Sequence, residues 1–177
     1  MNIYFDNIEH NGRPRIQIIY ERYADQKRFM GRGLFPDKSK QFEVIEILKN
    51  LEKFKSIDSI GETLVLFASF EPLAKEEANR LIPQKKIDEL LKKINNPATW
   101  VIWRSFSTAT FFFYSKEQVE AAKRTVVDDL TNAYFDLIKQ YDEFDFLKRD
   151  SFSIYLDDKK TFDTVYQSNW FYYSKDH

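Results

Sequence analysis

The chain has no cysteine, so neither a disulfide frame nor a thiolate metal site can be built from it. Histidine is nearly as scarce. His10 and His177 are the only two, and neither has a serine or second histidine at catalytic or ligand spacing. Four glycines and five prolines argue against a loop-dominated protein or a long flexible linker. The pair Gly31 and Gly33 lacks the lysine and helix spacing of a phosphate-binding loop. No apolar run approaches the ~20 residues needed to cross a membrane. The opening MNIYFDNIEHNGRPR lacks the basic and apolar regions of a secretion signal, so a cytoplasmic protein is expected. Net charge is −1, which does not suit a molecule that tracks a polyanion, and no direct nucleic-acid binding is expected.

What the chain does have is rings. Seventeen Phe, ten Tyr and three Trp mean that its core must be built largely from aromatics. Its 177 residues suit one domain over 1–177. Charge is uneven along it: residues 1–115 carry 18 basic and 15 acidic side chains, and residues 116–177 carry 9 and 13.

Patterning places the elements. Two extended runs flank Asn11-Gly12, a dipeptide suited to a tight hairpin turn. Asp37 or Ser39 can cap a helix reaching about Phe54, with Phe42, Ile45, Leu48, Leu51 and Phe54 recurring every third residue. GETLVLFASF is apolar on both alternating faces, the pattern of a central strand. Two helices parted at Pro83 follow, and then TWVIWRSFSTATFFFYS, read as two strands with a turn near Ser107–Thr110. One long helix is expected from about Ser115, with a stripe of Val119, Ala122, Val126, Leu130, Ala133, Leu137, Tyr141 and Phe144. DSFSIYL and SNWFYY read as closing strands around a turn at DDKKTFD. The expected fold is α+β, a mostly antiparallel sheet packed by a long helix and shorter ones.

Candidate chemistry is sparse. Asp157, Asp158 and Lys159 after a strand, with Asp150 upstream, offer the carboxylates and lysine of a metal-dependent nuclease, or a plain polar turn. Arg104 sits on an otherwise apolar strand face, where it is expected to pair with a buried carboxylate or else to lie on a sheet edge. Asp142, Glu143 and Asp145 follow the expected long helix, interleaved with Tyr141, Phe144 and Phe146. Carboxylates there are disfavoured by the helix dipole, as a surface kept for a basic partner would be, unless the helix has already ended.

The C-terminal pattern, SFSIYLDD and then FDTVYQSNWFYYSK, resembles the tails of immunity proteins from bacterial polymorphic-toxin and contact-dependent growth inhibition systems. The residues that carry the likeness are Phe162, Asp163, Tyr166, Asn169, Trp170, Phe171, Tyr172 and Tyr173. The resemblance implies a cytoplasmic protein that is no enzyme and needs no cofactor or metal. Its role would be to neutralise a cognate toxin domain, often a nuclease, by covering its active or substrate-binding surface. Carboxylates would compete for the toxin's positive surface, and aromatics would anchor. Two places can supply such a surface: Tyr141, Asp142, Glu143, Asp145 and Phe146 first, then Asp157 and Asp158 with Tyr173. An exposed aromatic edge strand at the C-terminus would also favour a homodimer.

Overall fold

The computed structural model describes residues 2–10, 13–33, 35–54 and 60–176. Residues 1–177, expected as one domain, divide into two compact units, Met1–Leu73 and Ala74–His177. The proposed turn at Asn11-Gly12 lies outside the described residues, as does His177.

In the first unit, β1 (Asn2–His10) pairs antiparallel with β2 (Arg13–Tyr20), and β2 pairs parallel with β3 (Leu64–Ser69). Two helices lie between β2 and β3 in sequence, α1 (Tyr23–Lys27) and α2 (Lys38–Lys49). Asp37 does cap α2, its carboxylate accepting from the amides of Ser39 at 2.8 Å and Lys40 at 3.1 Å. A step of three residues turns a helix through 300°, so a stripe with that spacing winds around the axis. Accordingly Ile45 and Leu48 are buried while Phe42 and Leu51 are exposed. The helix stops at Lys49, and Phe54 reaches the same core from a separate short turn at Glu52–Phe54. Ile16 and Ile18 of β2 lie opposite Val65 and Phe67 of β3 and complete that core. Strand β3 is an edge strand and not the central one. Its outward carbonyls are capped by side chains: Gln41 donates to Val65 at 2.7 Å and Gln26 to Phe67 at 2.8 Å.

Helix α3 (Phe70–Leu81) leads into the second unit, where α4 (Gln84–Ile94) begins just after Pro83 as expected. Strands β4 (Thr99–Ser105) and β5 (Thr108–Phe113) form a hairpin as expected, but its turn is Phe106-Ser107 and Thr108–Thr110 belong to β5. Strand β6 (Tyr155–Asp158) joins β5 in parallel. Each sheet therefore holds one antiparallel and one parallel pair. The α+β class stands, but the sheets are mixed and not mostly antiparallel.

The strand covered on both faces is β5. Ala109, Phe111 and Phe113 face one core, with residues of α3 and α4, while Phe112 faces a second, smaller one. The larger core also takes two helices, α5 (Lys116–Thr125) and α6 (Val127–Lys139), where one long helix was expected. Ser115 caps α5 through a capping box with Gln118. The break comes at Val126, with φ −130° and ψ −1°, inside the β-branched run Thr125-Val126-Val127, which crowds a helical turn. Val119, Ala122, Leu130 and Leu137 of the stripe are buried, but Phe144 lies beyond the helix end and is exposed.

The smaller core is closed by two helices. SNWFYY is not a strand but the start of α8 (Trp170–Asp176), and DDKKTFD is no turn but the start of α7 (Lys159–Val165). Asn169 supplies the helix signal, its side chain accepting from the Phe171 amide at 2.9 Å. Helical spacing puts Trp170 and Tyr173 on one side and turns Phe171 and Tyr172 outward. Tyr173 is 1% exposed, against 62% for Phe171 and 48% for Tyr172.

Strand β4 is fitted to receive this helix by a bulge at Trp100. Thr99 pairs with Phe113 and Val101 with Phe112, so Trp100 is the extra residue. The bulge brings Trp100 and Trp103, whose odd spacing would otherwise part them, to the same aromatic nest. Trp170 stacks on both, with ring centres 6.0 Å and 5.7 Å away.

Candidate functional site

The run Tyr141–Phe146 lies just past α6, so its acids are loop residues and escape the dipole penalty. Asp142 is a fold element. Its side chain is 1% exposed and accepts from the amides of Phe146 and Leu147, at 3.0 Å and 2.9 Å, and from Lys139 Nζ at 2.6 Å. Asp145 takes a left-handed conformation, φ 55°, between Lys139 at 2.5 Å and Lys148 at 2.6 Å. Hydrogen bonds from these two ammonium groups pull its carboxyl down to about 2. Phe146 is buried, Tyr141 is half-buried, and Phe144 stacks over Phe146 at 6.0 Å. Of the three acids, only Glu143 points outward with no ion pair among the described residues.

The second place is likewise engaged. Asp158 is buried and caps α7, accepting from the Thr161 amide and hydroxyl, each at 2.8 Å. Asp157 accepts from the hydroxyl of Tyr173 at 2.8 Å and from the Asp158 amide at 2.8 Å. Lys159 pairs with Asp163 and lies 5.0 Å from the Trp100 ring centre. Asp150 is exposed in a separate short turn, Arg149–Ser151. Thus Asp157, Asp158 and Tyr173 meet as neighbours, but as folding contacts whose polar atoms already have partners. Among the described residues, no three of His, Asp and Glu gather as a metal ion would need.

Tyr173 has a partner in character in Tyr134, buried in the larger core with its hydroxyl donating to Asn79 Oδ1 at 2.5 Å. Both phenols are held protonated above the ordinary tyrosine value of 10.0. Burial is the cause for Tyr134; for Tyr173 it is burial first and the Asp157 carboxylate second. Above pH 10 the unfolded chain ionises these groups while the folded chain does not. Their contribution is therefore complete below pH 10 and lost as pH rises beyond it. The urea midpoint should fall between about pH 9 and about pH 11, and less steeply in Tyr173→Phe. Equal slopes would mean that the Tyr173 hydroxyl is not protected by the fold.

Two features escaped the sequence reading. The first is the outer face of α6, where Asp128, Asp129 and Asp136 are exposed, with Glu143 one turn beyond. None of the four has an ion pair among the described residues. Asp128 and Asp129 stand in the first turn, where the helix dipole favours them, but Asp136 does not. The acidic excess of residues 116–177 was the available signal, together with the polar positions between the stripe residues.

The second is a polar network behind the β4–β5 turn. Asn79, 2% exposed, donates to the carbonyls of Phe106 at 2.8 Å and Thr108 at 2.7 Å and accepts from Tyr134. Arg104 lies on an edge strand, β4, and its Nη1 donates to the carbonyls of Asn79 and Ile82, so its partners are at the end of α3 and not a buried carboxylate. Compared with known proteins, the chain matches no family model, no curated protein and no solved structure.

Proposed function

We propose that this chain is an immunity-type binding protein that neutralises a basic toxin domain by covering its active or substrate-binding surface. The reading rests on the C-terminal resemblance and on one structural observation, the unpaired acidic face of α6 continued by Glu143. A nuclease toxin needs a positive surface to hold its polyanionic substrate. Carboxylates fixed on a helix that packs firmly through Leu130, Tyr134, Leu137 and Ile138 compete for that surface at little cost in ordering. The acidic-aromatic run Tyr141–Phe146 contributes Glu143 and the exposed ring of Phe144, while Asp142 and Asp145 shape the loop.

On this reading the adjoining reading frame encodes the cognate toxin domain, and the test uses that domain. Cells producing that domain should survive when they also produce this chain. Removing charge with Asp128→Asn, Asp129→Asn, Asp136→Asn and Glu143→Gln together should slow association by about tenfold or more at low salt. It should leave stability near that of the parent. Failure to protect, or an association rate indifferent to the four changes, overturns the proposal. Purified chain should cleave neither RNA nor DNA with Mg²⁺. Cleavage lost on Asp157→Asn or Lys159→Ala would favour a nuclease instead.

A further inference from the structure

Arg104 is half-buried, and its charge is only partly answered. Nη1 donates to the Asn79 carbonyl at 3.1 Å and the Ile82 carbonyl at 2.6 Å, both at the C-terminal end of α3. A helix end carries roughly half a negative charge, so part of the guanidinium is offset and part is not. Among the described residues no carboxylate pairs with it. The other guanidinium nearby, on Arg80, is held at two points by Glu77, at 2.8 Å and 2.5 Å.

Arg104 borders a cleft of about 420 Å³ between the α3–α4 corner and the end of the β4–β5 hairpin. Phe106 supplies its exposed apolar surface, since Ile102 is buried in the larger core and the Trp103 ring lies in the aromatic nest. Among the described residues Glu76 is the one carboxylate on its wall. Phe106 holds an unusual position. It is exposed at the hairpin tip with φ 44°, a conformation that a side chain disfavours, and the buried Asn79 amide fixes its carbonyl.

The geometry points to a binding site in this cleft for a monocarboxylate carried on an apolar or aromatic body. Arg104 is the anion anchor, and the exposed ring of Phe106 holds the body. The planar fork of a guanidinium matches a carboxylate, and its Nε and Nη2 remain for the ligand. Glu76 disfavours a dianion more than a monoanion, which selects against phosphate. Such a carboxylate belongs either to the C-terminus of a peptide or to a small free acid. The site does not depend on the toxin-binding reading and lies apart from the residues that carry it.

The experiment titrates isotope-labelled protein with N-acetylphenylalanine, N-acetylphenylalaninamide, benzoate and inorganic phosphate. Amide signals of residues 102–106, the Arg104 Nε–H and the Phe106 ring are followed by NMR. The two carboxylates should shift these signals together, and the amide should bind about tenfold more weakly or worse, since it lacks the charge-assisted bonds. N-acetylphenylalanine binding well ahead of benzoate assigns a peptide C-terminus; comparable binding assigns a small acid. Arg104→Gln should abolish the difference between acid and amide. Because Arg104 also clamps α3, Glu76→Gln provides a second variant that leaves the clamp in place and should tighten carboxylate binding several-fold. Acid and amide binding alike, phosphate binding best, shifts elsewhere, or no shift with any probe overturns the site.

Discussion

Trp170→Ala is expected to destabilise the Ala74–His177 unit by ~3–5 kcal/mol, the range for removing a large ring from a packed core. Trp170 is not fully buried, but it is the hub of its nest. Its ring centre lies 4.1 Å from that of Phe162 and 5.3 Å from that of Phe112, besides the stacks on Trp100 and Trp103. No neighbour can relax into the space, because five rings, those four and Tyr173, define it. Tyr173→Ala should cost a similar amount, since its ring meets Phe112 at 5.1 Å and its hydroxyl holds Asp157. Phe171→Ala and Tyr172→Ala should each change stability by no more than about 0.5 kcal/mol, as exposed positions do. A chain ending after Asn169 should lose cooperative unfolding in this unit altogether. Trp100, Trp103 and Trp170 are the protein's three tryptophans, so indole fluorescence during urea unfolding reports on this nest directly. A truncated chain as stable as the parent would make the tail an appendage and remove α8 from the fold.

The second large effect is expected at Asn79. Replacing it with alanine strips partners from the part-buried carbonyls of Phe106 and Thr108 and from the buried Tyr134 hydroxyl. Each buried polar group left unpaired costs about 1–3 kcal/mol, so a total of about 3 kcal/mol or more should appear as a lower urea midpoint. Adding Tyr134→Phe tests the cause. It removes one of the stranded groups, so the double variant should lose less than the two single changes added together. Strict additivity would show that the 2.5 Å contact carries no energy of its own.

The sequence announced the hairpin at TWVIWRSFSTATFFF, the helix break at Pro83, the cap at Asp37 and the α+β class, because each rests on local chemistry. It misplaced what depends on distant partners. SNWFYY has strand-forming residues throughout, yet Asn169 caps a helix there, and the bulge at Trp100 offers a nest shaped for rings one helical turn apart. The apolar run at GETLVLFASF looked central, but its outward carbonyls are answered by glutamines and not by a neighbouring strand. The acids of Tyr141–Phe146 looked free because a sequence does not show Lys139 folding back on two of them. Arg104 was legible as an anomaly, while its carbonyl partners were not.

Those glutamines have a consequence for the handling of the protein. An unprotected sheet edge is a template on which a second chain can lay down a strand, and growth of that kind ends in precipitate. At β3 the acceptors at Val65 and Phe67 are already occupied, and an incoming strand must first evict both amides. Gln26 and Gln41 thus act as gatekeepers against aggregation, a duty separate from any contribution to the core, and their loss would show first in concentrated or partly refolded samples.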